Sequence, residues 1–347
     1  MKSESVPIRR PICANLVLID GNGILHRAYH ALPRLTMRGG VPANAVYGFC
    51  SMFLKVINDL KPRYLAVAFD TPQPTFRHQE FVGYQAQRPK IEEELAGQID
   101  KVKEVLGEMG VAVFEKPGFE ADDVIGTIAA LAAKNQKPKT LPCRQAGKNQ
   151  KYKLRFKNIQ TIIVSGDRDL MQLVDKNTKL YLPVKGLSEV ELVDEKGVEE
   201  KLGIKPKQVV DYKGLVGDPS DNYPGVPGVG PKTATQLLAK YRTLEGIYGK
   251  IKDKKDKKDK KIREKLLAGK ESAVLSKKLA KIATNVPLKI DWEKLKMERV
   301  KREKIVEVLA RLGFKSLVRR VEERGVEKVK KVEREKEIRE RQLGLFS

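Results

Sequence analysis

The chain has 347 residues, 69 Lys or Arg against 45 Asp or Glu, and a formal net charge of +24; 41% of its residues are hydrophobic. That apolar share supports folded cores and roughly two domains, which excludes a disordered tail. The cationic surplus makes a polyanion the natural partner, because Lys and Arg gain affinity for phosphates by releasing counterions. Cys13, Cys50 and Cys143 are odd in number, far apart and form no CxxC, so they suggest neither a disulfide framework nor a zinc site, and a reducing cytoplasm fits. The early apolar run ANLVLID is too short for a signal or membrane segment.

After a polar leader, residues 1–14, the run NLVLID closes on Asp20 and the turn sequence GNG. Spacing predicts a helix from about Ala43 to Leu60 and a second strand, YLAVAFD, ending in Asp70. A helix from about Asp122 to Lys134 and a third strand, IQTIIVSGD, ending in Asp167, follow. Unbroken apolar strands alternating with helices predict an α/β fold with a parallel sheet covered on both faces. Ligands bind such sheets at the carboxyl ends of the strands, and three of the strands here end in aspartate.

Residues 134–157 carry nine Lys or Arg and no acid. This insertion enters the third strand at its amino end, opposite the aspartates, so it reads as a solvated loop rather than a DNA-contacting flap. From about Lys205 the composition turns helical and basic. The run KDKKDKKDKK, 252–261, reads as a solvated linker or helix face, and after TNVPLKIDW a charged helical pattern continues to residue 341.

The stretch GFEADDVIG places Glu120, Asp122 and Asp123 where a helix begins, and GDPSDN places Asp218 and Asp221 in a turn-rich loop. Taken singly, each acid reads as a cap or a turn residue. Together with Asp20, Asp70 and Asp167 they converge on one rim of one sheet, which caps do not explain. Carboxylates so crowded repel one another and protonate unless cations neutralise them. Hard oxygen donors at this density call for Mg²⁺ or Mn²⁺. Two such ions roughly 3.5 to 4 Å apart clamp an in-line phosphoryl displacement, which makes the cluster a phosphodiesterase candidate.

In order, LVLIDGNGILHRAYHAL, NAVYGFCSMF, AVAFDTPQPTFRHQEFVGY, GFEADDVIGTIA, IVSGDRDLMQL and GLVGDPSDNYPGVPGVGPKTATQLL resemble the 5′-nuclease domain of bacterial DNA polymerase I and its flap-endonuclease relatives. The resemblance runs from about Asn15 to about Val321 and, with no polymerase portion following, implies a stand-alone 5′-nuclease. It implies a PIN-like α/β core over 15–204, with a helical arch at about 77–100. A helical region over 205–323 would carry a helix-three-turn-helix hairpin at 225–238, ahead of a charged tail, 324–347. Asp20, Asp70, Glu120 and Asp122 would hold a first metal ion with Asp123 close by. Asp167, Asp169, Asp218 and Asp221 would hold or orient a second. The implied activity is metal-dependent 5′-3′ exonuclease and flap endonuclease cleavage in primer removal and repair. The implied partners are duplex DNA with a 5′ flap or nick and a separate polymerase and ligase, with the protein acting as a nucleoid-associated cytoplasmic monomer.

Arg27 matches a family position that contacts substrate phosphate, and Arg77 and Tyr84 lie in the arch sequence FRHQEFVGYQAQRPK as DNA-contacting residues. Where the family has Lys after the Tyr, this chain has Gln85, while Arg88 is retained. Loss of one such charge commonly costs on the order of 100-fold in rate, and Arg88 or Lys90 is expected to supply it. A catalytically weakened DNA-binding scaffold and a PIN-type ribonuclease are the alternatives. GVPGVGPKTA, 225–234, reads as a glycine hairpin feeding a helix with Pro231 at its first position. Gly228, Gly230, Lys232 and Thr233 offer amides and charge to one phosphate, and the family binds K⁺ through hairpin carbonyls there. The ending RQLGLFS resembles the Q-L-x-L-F peptide that docks on the bacterial sliding clamp, with Gln342, Leu343, Leu345 and Phe346 as anchors.

Overall fold

The computed structural model describes residues 16–37, 39–89, 91–134, 159–187, 189–251 and 260–323. The leader, Lys90, the basic insertion past Lys134, most of the KDK run and the tail with its clamp peptide lie outside the described residues. Six strands form one sheet: β1 (Leu16–Asp20), β2 (Tyr64–Ala68), β3 (Ala112–Phe114), β4 (Thr161–Val164), β5 (Thr178–Lys185) and β6 (Glu189–Val193). Their order is β3-β2-β1-β4-β5-β6, parallel throughout except for β6, which closes the edge antiparallel to β5. The chain steps outward from β1 to β3 and then returns to the other side of β1. That reversal makes the carboxyl end between β1 and β4 the switch point of the sheet, where α/β folds leave a crevice.

Helices α1 (Gly21–Ala31), α2 (Asn44–Leu60), α3 (Phe76–Glu80), α4 (Glu93–Glu108), α5 (Ala121–Lys134) and α6 (Glu195–Leu202) accompany the strands. Helices α7 (Val209–Val216), α8 (Pro231–Tyr241), α9 (Leu244–Ile251), α10 (Lys260–Ala268) and α11 (Lys270–Ala280) build the helical region, and α12 (Arg302–Arg311) follows it. One face of the sheet, through Val17, Ile19, Leu65 and Val67, packs with α1, α2 and α4. The other face, through Leu16, Leu18, Ala66 and Ala68, packs with α5 and runs into the helical region through Val209, Leu215 and Leu238. Both faces of β1, β2 and β4 are thus covered, which is why those strands read as unbroken apolar runs.

Several expectations change on contact with the fold. GNG is the first turn of α1 rather than a free turn, because the Asp20 side chain accepts from Gly23 N and caps the helix. A side chain at Gly23 would put its Cβ 2.1 Å from Asp20 Oδ2, so glycine is needed for this close approach. The segment expected as the arch, 77–100, divides: α3 and a series of turns occupy its first half, while α4 buries Leu95 and Ile99 in the core. Buried Gln98 of α4 then accepts from Ala45 N at 2.8 Å, near the start of α2, a helix with no side-chain cap of its own. The long charged pattern breaks after α12 at Leu312–Phe314, where Gly313 has φ 81°. Ile305, Val308 and Leu309 of α12 bury against the α4 face, roughly 1.5–3 kcal/mol each. The last helix of the segment 205–323, α12, packs against α4 of the segment 15–204.

Candidate active site

Asp20 ends β1 and is 5% exposed. Its Oδ1 accepts from Gly23 N–H at 2.8 Å and its Oδ2 from the Ser165 hydroxyl at 2.6 Å. Burial outweighs these bonds and, with the charges of Asp70 and Asp167, pushes its pKa up to about 7. Asp70 lies two residues past β2, accepts from Ala121 N–H at 2.7 Å, and its own N–H donates to Asn22 Oδ1 at 3.0 Å. One residue so joins β2 to the starts of α5 and α1. Asp122 sits in the first turn of α5, where helix amides favour an acid. Its pKa is raised well above the usual carboxylate range, by burial first and then by Asp167, Asp20, Asp70 and Glu120. Those acids, from β1, β2, α5 and the β4 loop, form one electrostatic cluster at the switch point.

The second group joins the loop after β4 to α7 and the loop that follows it. Ser165, fully buried after β4, donates to Asp20 and accepts from Asp167 N–H at 3.0 Å. Exposed Asp167 in turn accepts from Asp169 N–H at 2.7 Å. Carboxylate oxygens of Asp169, Asp218 and Asp221 lie within 4.8 Å of one another. Lys213 of α7 lies between two of them, its Nζ 2.5 Å from Asp169 Oδ1 and hydrogen-bonded to Asp218 Oδ2. The two acids nevertheless shift in opposite directions. Burial and Asp167 push Asp169 to about 7, whereas Asp218 is held below its ordinary value because bonds from Lys213 and Ser220 outweigh its burial. The physical difference is that Ser220 gives Asp218 both its N–H at 2.8 Å and its hydroxyl at 2.5 Å. Sequence reasoning missed Lys213 and Ser165; a cation five residues before Asp218 and a hydroxyl two before Asp167 were the available signals. Hard oxygen donors, carboxylates pushed toward protonation by burial and then by one another, and an ammonium drawn between two of them together fit a hard divalent cation.

The segment of α3 and the turns after it, residues 76–89 and here called the arch base, lies against both groups and places three expected residues differently. Arg77 is 2% exposed and grips Asp123 with both ends of its fork at 2.7 and 2.8 Å. It also donates to Leu279 O at 2.8 Å and Lys281 O at 3.0 Å and pairs with Glu120 at 3.2 Å. Arg77 therefore serves the interior rather than the DNA surface. Asp123, 0% exposed, accepts further bonds from Glu120 N–H at 3.1 Å and Ala283 N–H at 2.7 Å, which fill its oxygens and leave it as the anchor of Arg77. Tyr84 is buried, and its hydroxyl donates to Glu120 at 3.2 Å and reaches Asp221 at 3.5 Å. Burial, more than Arg77 can offset, pushes Glu120 up to about 7. Gln85 takes the left-handed conformation, φ 55°, and its amide donates to Asp221 Oδ1 at 3.2 Å. Arg88 Nη2 reaches the same oxygen at 2.7 Å, with half of its side chain exposed. Burial raises the pKa of Asp70, and the Arg88 charge offsets part of that rise, so one cation of this segment acts on both acid groups. Arg27 is held by Gly186 O at 2.7 Å and Val184 O at 2.9 Å. Lys90 lies outside the described residues.

Two sequence profiles match the chain: the N-terminal resolvase-like domain of 5′-3′ exonucleases over residues 15–141, and their C-terminal SAM fold over 204–303. The 5′-3′ exonuclease of Aquifex aeolicus is 36% identical over 307 residues, 88% of this chain and 95% of that protein. The chain belongs to the 5′-3′ exonuclease family. DNA polymerase I of Caldicellulosiruptor bescii is 41% identical over 88% of the chain, which spans 33% of that longer relative. The D15 flap endonuclease of bacteriophage T5, solved with DNA and metal ions, shares the fold with a TM-score of 0.58 at 17% identity, over 89% of this chain and 98% of that one.

In this exonuclease-family chain the glycine hairpin follows directly on the loop that holds Asp218 and Asp221. The loop holding Asp218 closes through a bridge to Tyr223, and Gly217 and Gly225 cross so closely that a Cβ on either would lie 2.3 to 2.5 Å from backbone. Gly228, with φ 74°, gives its carbonyl to Lys265 at 3.0 Å. Gly230 then caps α8 with Pro231 at its start. Gly228, Gly230 and Lys232 are exposed and Thr233 is half-buried. First-turn amides of a helix have no internal acceptor, so this end of α8 offers donors to an anion.

Proposed function

We propose that the chain is a structure-specific 5′-nuclease that hydrolyses DNA phosphodiesters with two divalent ions, Mg²⁺ or Mn²⁺, at 5′ flaps and 5′ ends in primer removal and repair. The observation that carries this reading is the convergence of acids from β1, β2, α5, the β4 loop and the 218–221 loop at the switch point of the sheet. Asp20, Asp70, Glu120 and Asp122 would hold one ion, and Asp167, Asp169, Asp218 and Asp221 the other. Held there, such ions supply charge neutralisation and an activated water for in-line displacement. The flap endonuclease of T5, with the same fold and bound to DNA and metal ions, supports the assignment.

The chain's own residues have separate tasks. Ser165 fixes Asp20 and Asp167 in one hydrogen-bonded unit. Arg88 meets the charge that develops on the phosphate, in the place of the family lysine that Gln85 replaces. Arg27, with Nε and one Nη fixed by carbonyls, presents its other Nη to the substrate. The hairpin from Gly228 to Thr233 grips duplex backbone without reading sequence and is the place for K⁺ on its carbonyls. Gln342, Leu343, Leu345 and Phe346 tether the enzyme to the sliding clamp. Labelled flap DNA, nicked duplex and single-stranded RNA, each with Mg²⁺ or EDTA, test the reading. Flap cutting should need metal and vanish in Asp167→Asn; cutting that survives EDTA, or RNA cut faster than flaps, overturns it.

A further inference from the structure

Tyr223 closes the loop that holds Asp218 and Asp221, its N–H donating to Asp218 O at 3.1 Å and its carbonyl accepting from Asp218 N–H at 2.8 Å. Its side chain is 2% exposed and packs with Tyr84, Leu279 and Ala280, which fix the ring between the arch base and the end of α11. A phenylalanine would fill that space as well, so the hydroxyl needs a reason of its own. Among the described residues it is sealed from solvent and has no hydrogen-bond partner, whereas buried polar groups nearly always have one. It stands in the field of the second acid group. After burial, the charges of Asp169, Asp218, Asp221 and Asp167, in that order, raise its pKa, so it keeps its proton and is there to donate. The acids around it differ in what they already accept. Asp218 takes bonds from Lys213 and from both donors of Ser220. Asp221 takes them from Gln85, Arg88 and, at 3.5 Å, Tyr84. Among the described residues the Asp169 carboxylate is held by Lys213 alone, at 2.5 Å. Lys213 has to withdraw from an ion held by the same oxygens, because two cations that close repel. Asp169 then lacks a donor, and Tyr223 still lacks an acceptor.

We propose that Tyr223 is a positioning residue of the second ion site, its hydroxyl donating to the Asp169 carboxylate when Lys213 gives way to a divalent ion. A phenol donating to a carboxylate makes a charge-assisted bond. A ligating carboxylate held from behind in this way keeps its aim and its basicity. Lys213 and Tyr223 thus serve the same acid in turn, the first without the ion and the second with it. Because the hydroxyl is sealed from solvent, its partner is a carboxylate of the cluster rather than bulk water. The proposal rests on the reading that these acids hold two divalent ions.

Tyr223→Phe in the full chain keeps the ring and deletes only the hydroxyl. In EDTA its Tm should equal or exceed that of the wild type, since the lost group has no partner there. Titration with Mn²⁺, followed by the electron paramagnetic resonance of the free ion, should show one class of sites loosened about tenfold, the usual loss when the partner behind a ligand is removed. A further arm needs no metal. In a Lys213→Met background in EDTA, Asp169 is open to Tyr223, so Tyr223→Phe should there lower Tm by about 2 °C. Mn²⁺ affinity at the wild-type value in Tyr223→Phe overturns the proposal. A lower Tm of Tyr223→Phe in EDTA with Lys213 intact also overturns it, because the hydroxyl would then serve the metal-free fold. An unchanged Tm in the Lys213→Met background overturns the pairing with Asp169. Wild-type protein that binds no Mn²⁺ would instead overturn the two-ion reading.

Discussion

The guanidinium of Arg77 joins α3, α5 and the carboxyl end of α11 through one buried side chain. Truncating it strands the Asp123 carboxylate in the interior, which costs about 3–5 kcal/mol. Arg77→Ala is expected to lower Tm by roughly 5–15 °C, with Arg77→Lys failing to restore it because an ammonium lacks the fork. A surface DNA contact would leave Tm unchanged and alter only the salt dependence of binding. At Arg88 the expectation is kinetic: Arg88→Ala should slow flap cleavage about 100-fold, and Gln85→Lys should restore part of the rate. Unchanged cleavage in both Arg88→Ala and Lys90→Ala would mean that the arch supplies no charge. Asp20, Asp70 and Asp122 were legible as candidates because an acid at the end of an apolar strand or the start of a helix stands out in the sequence; the fold brings them into one buried cluster. The pairing of Arg77 with Asp123, 46 positions apart, was not, since nothing local marks which cation a buried acid meets.

Between elements, the turns after α3 are stitched to the loop after α7. Gln85 N–H donates to Asp221 O at 2.9 Å, Asn222 Nδ2 to Gly83 O at 2.7 Å and Arg88 Nε to Ser220 O at 3.4 Å. Asn222 has φ 59°, so Asn222→Gly keeps the backbone conformation accessible while deleting the amide. Hydrogen exchange at residues 83–88 should then accelerate about tenfold, and kcat on flaps should fall with little change in KM. Wild-type exchange rates in that variant would show that the arch base is held by other bonds. The same scale explains which elements were readable. α2 was, because its apolar face repeats at helical spacing. α1 was hidden behind a glycine start that looks like a turn, and α4 within a segment assigned to the arch by resemblance.

Across the whole molecule the acids couple folding to pH. Asp20, Glu120 and Asp169 are each pushed from 3.8 or 4.5 to about 7, burial being the first cause. Between about pH 4 and 7 the folded chain therefore holds protons that the unfolded chain has released, so stability falls as pH rises through that window. In EDTA, Tm should drop from pH 5 to pH 8, and Mg²⁺ or Mn²⁺ should raise it more at pH 8 than at pH 5.5. A metal-free Tm that climbs over this range contradicts the assignment. Deleting residues 342–347 should abolish sliding-clamp pull-down and leave cleavage of short flaps intact; retained pull-down removes the tether. The sequence by itself determined the α/β class, the helical region after Lys205 and most of the acids, because strand hydrophobicity, turn chemistry and charge are local properties. Only the tertiary structure decided that Asp123 faces Arg77, that Lys213 lies between Asp169 and Asp218, and that α12 returns to the sheet. Each of those depends on elements distant in sequence meeting in a buried space, where partner and geometry, rather than residue type, set the energy.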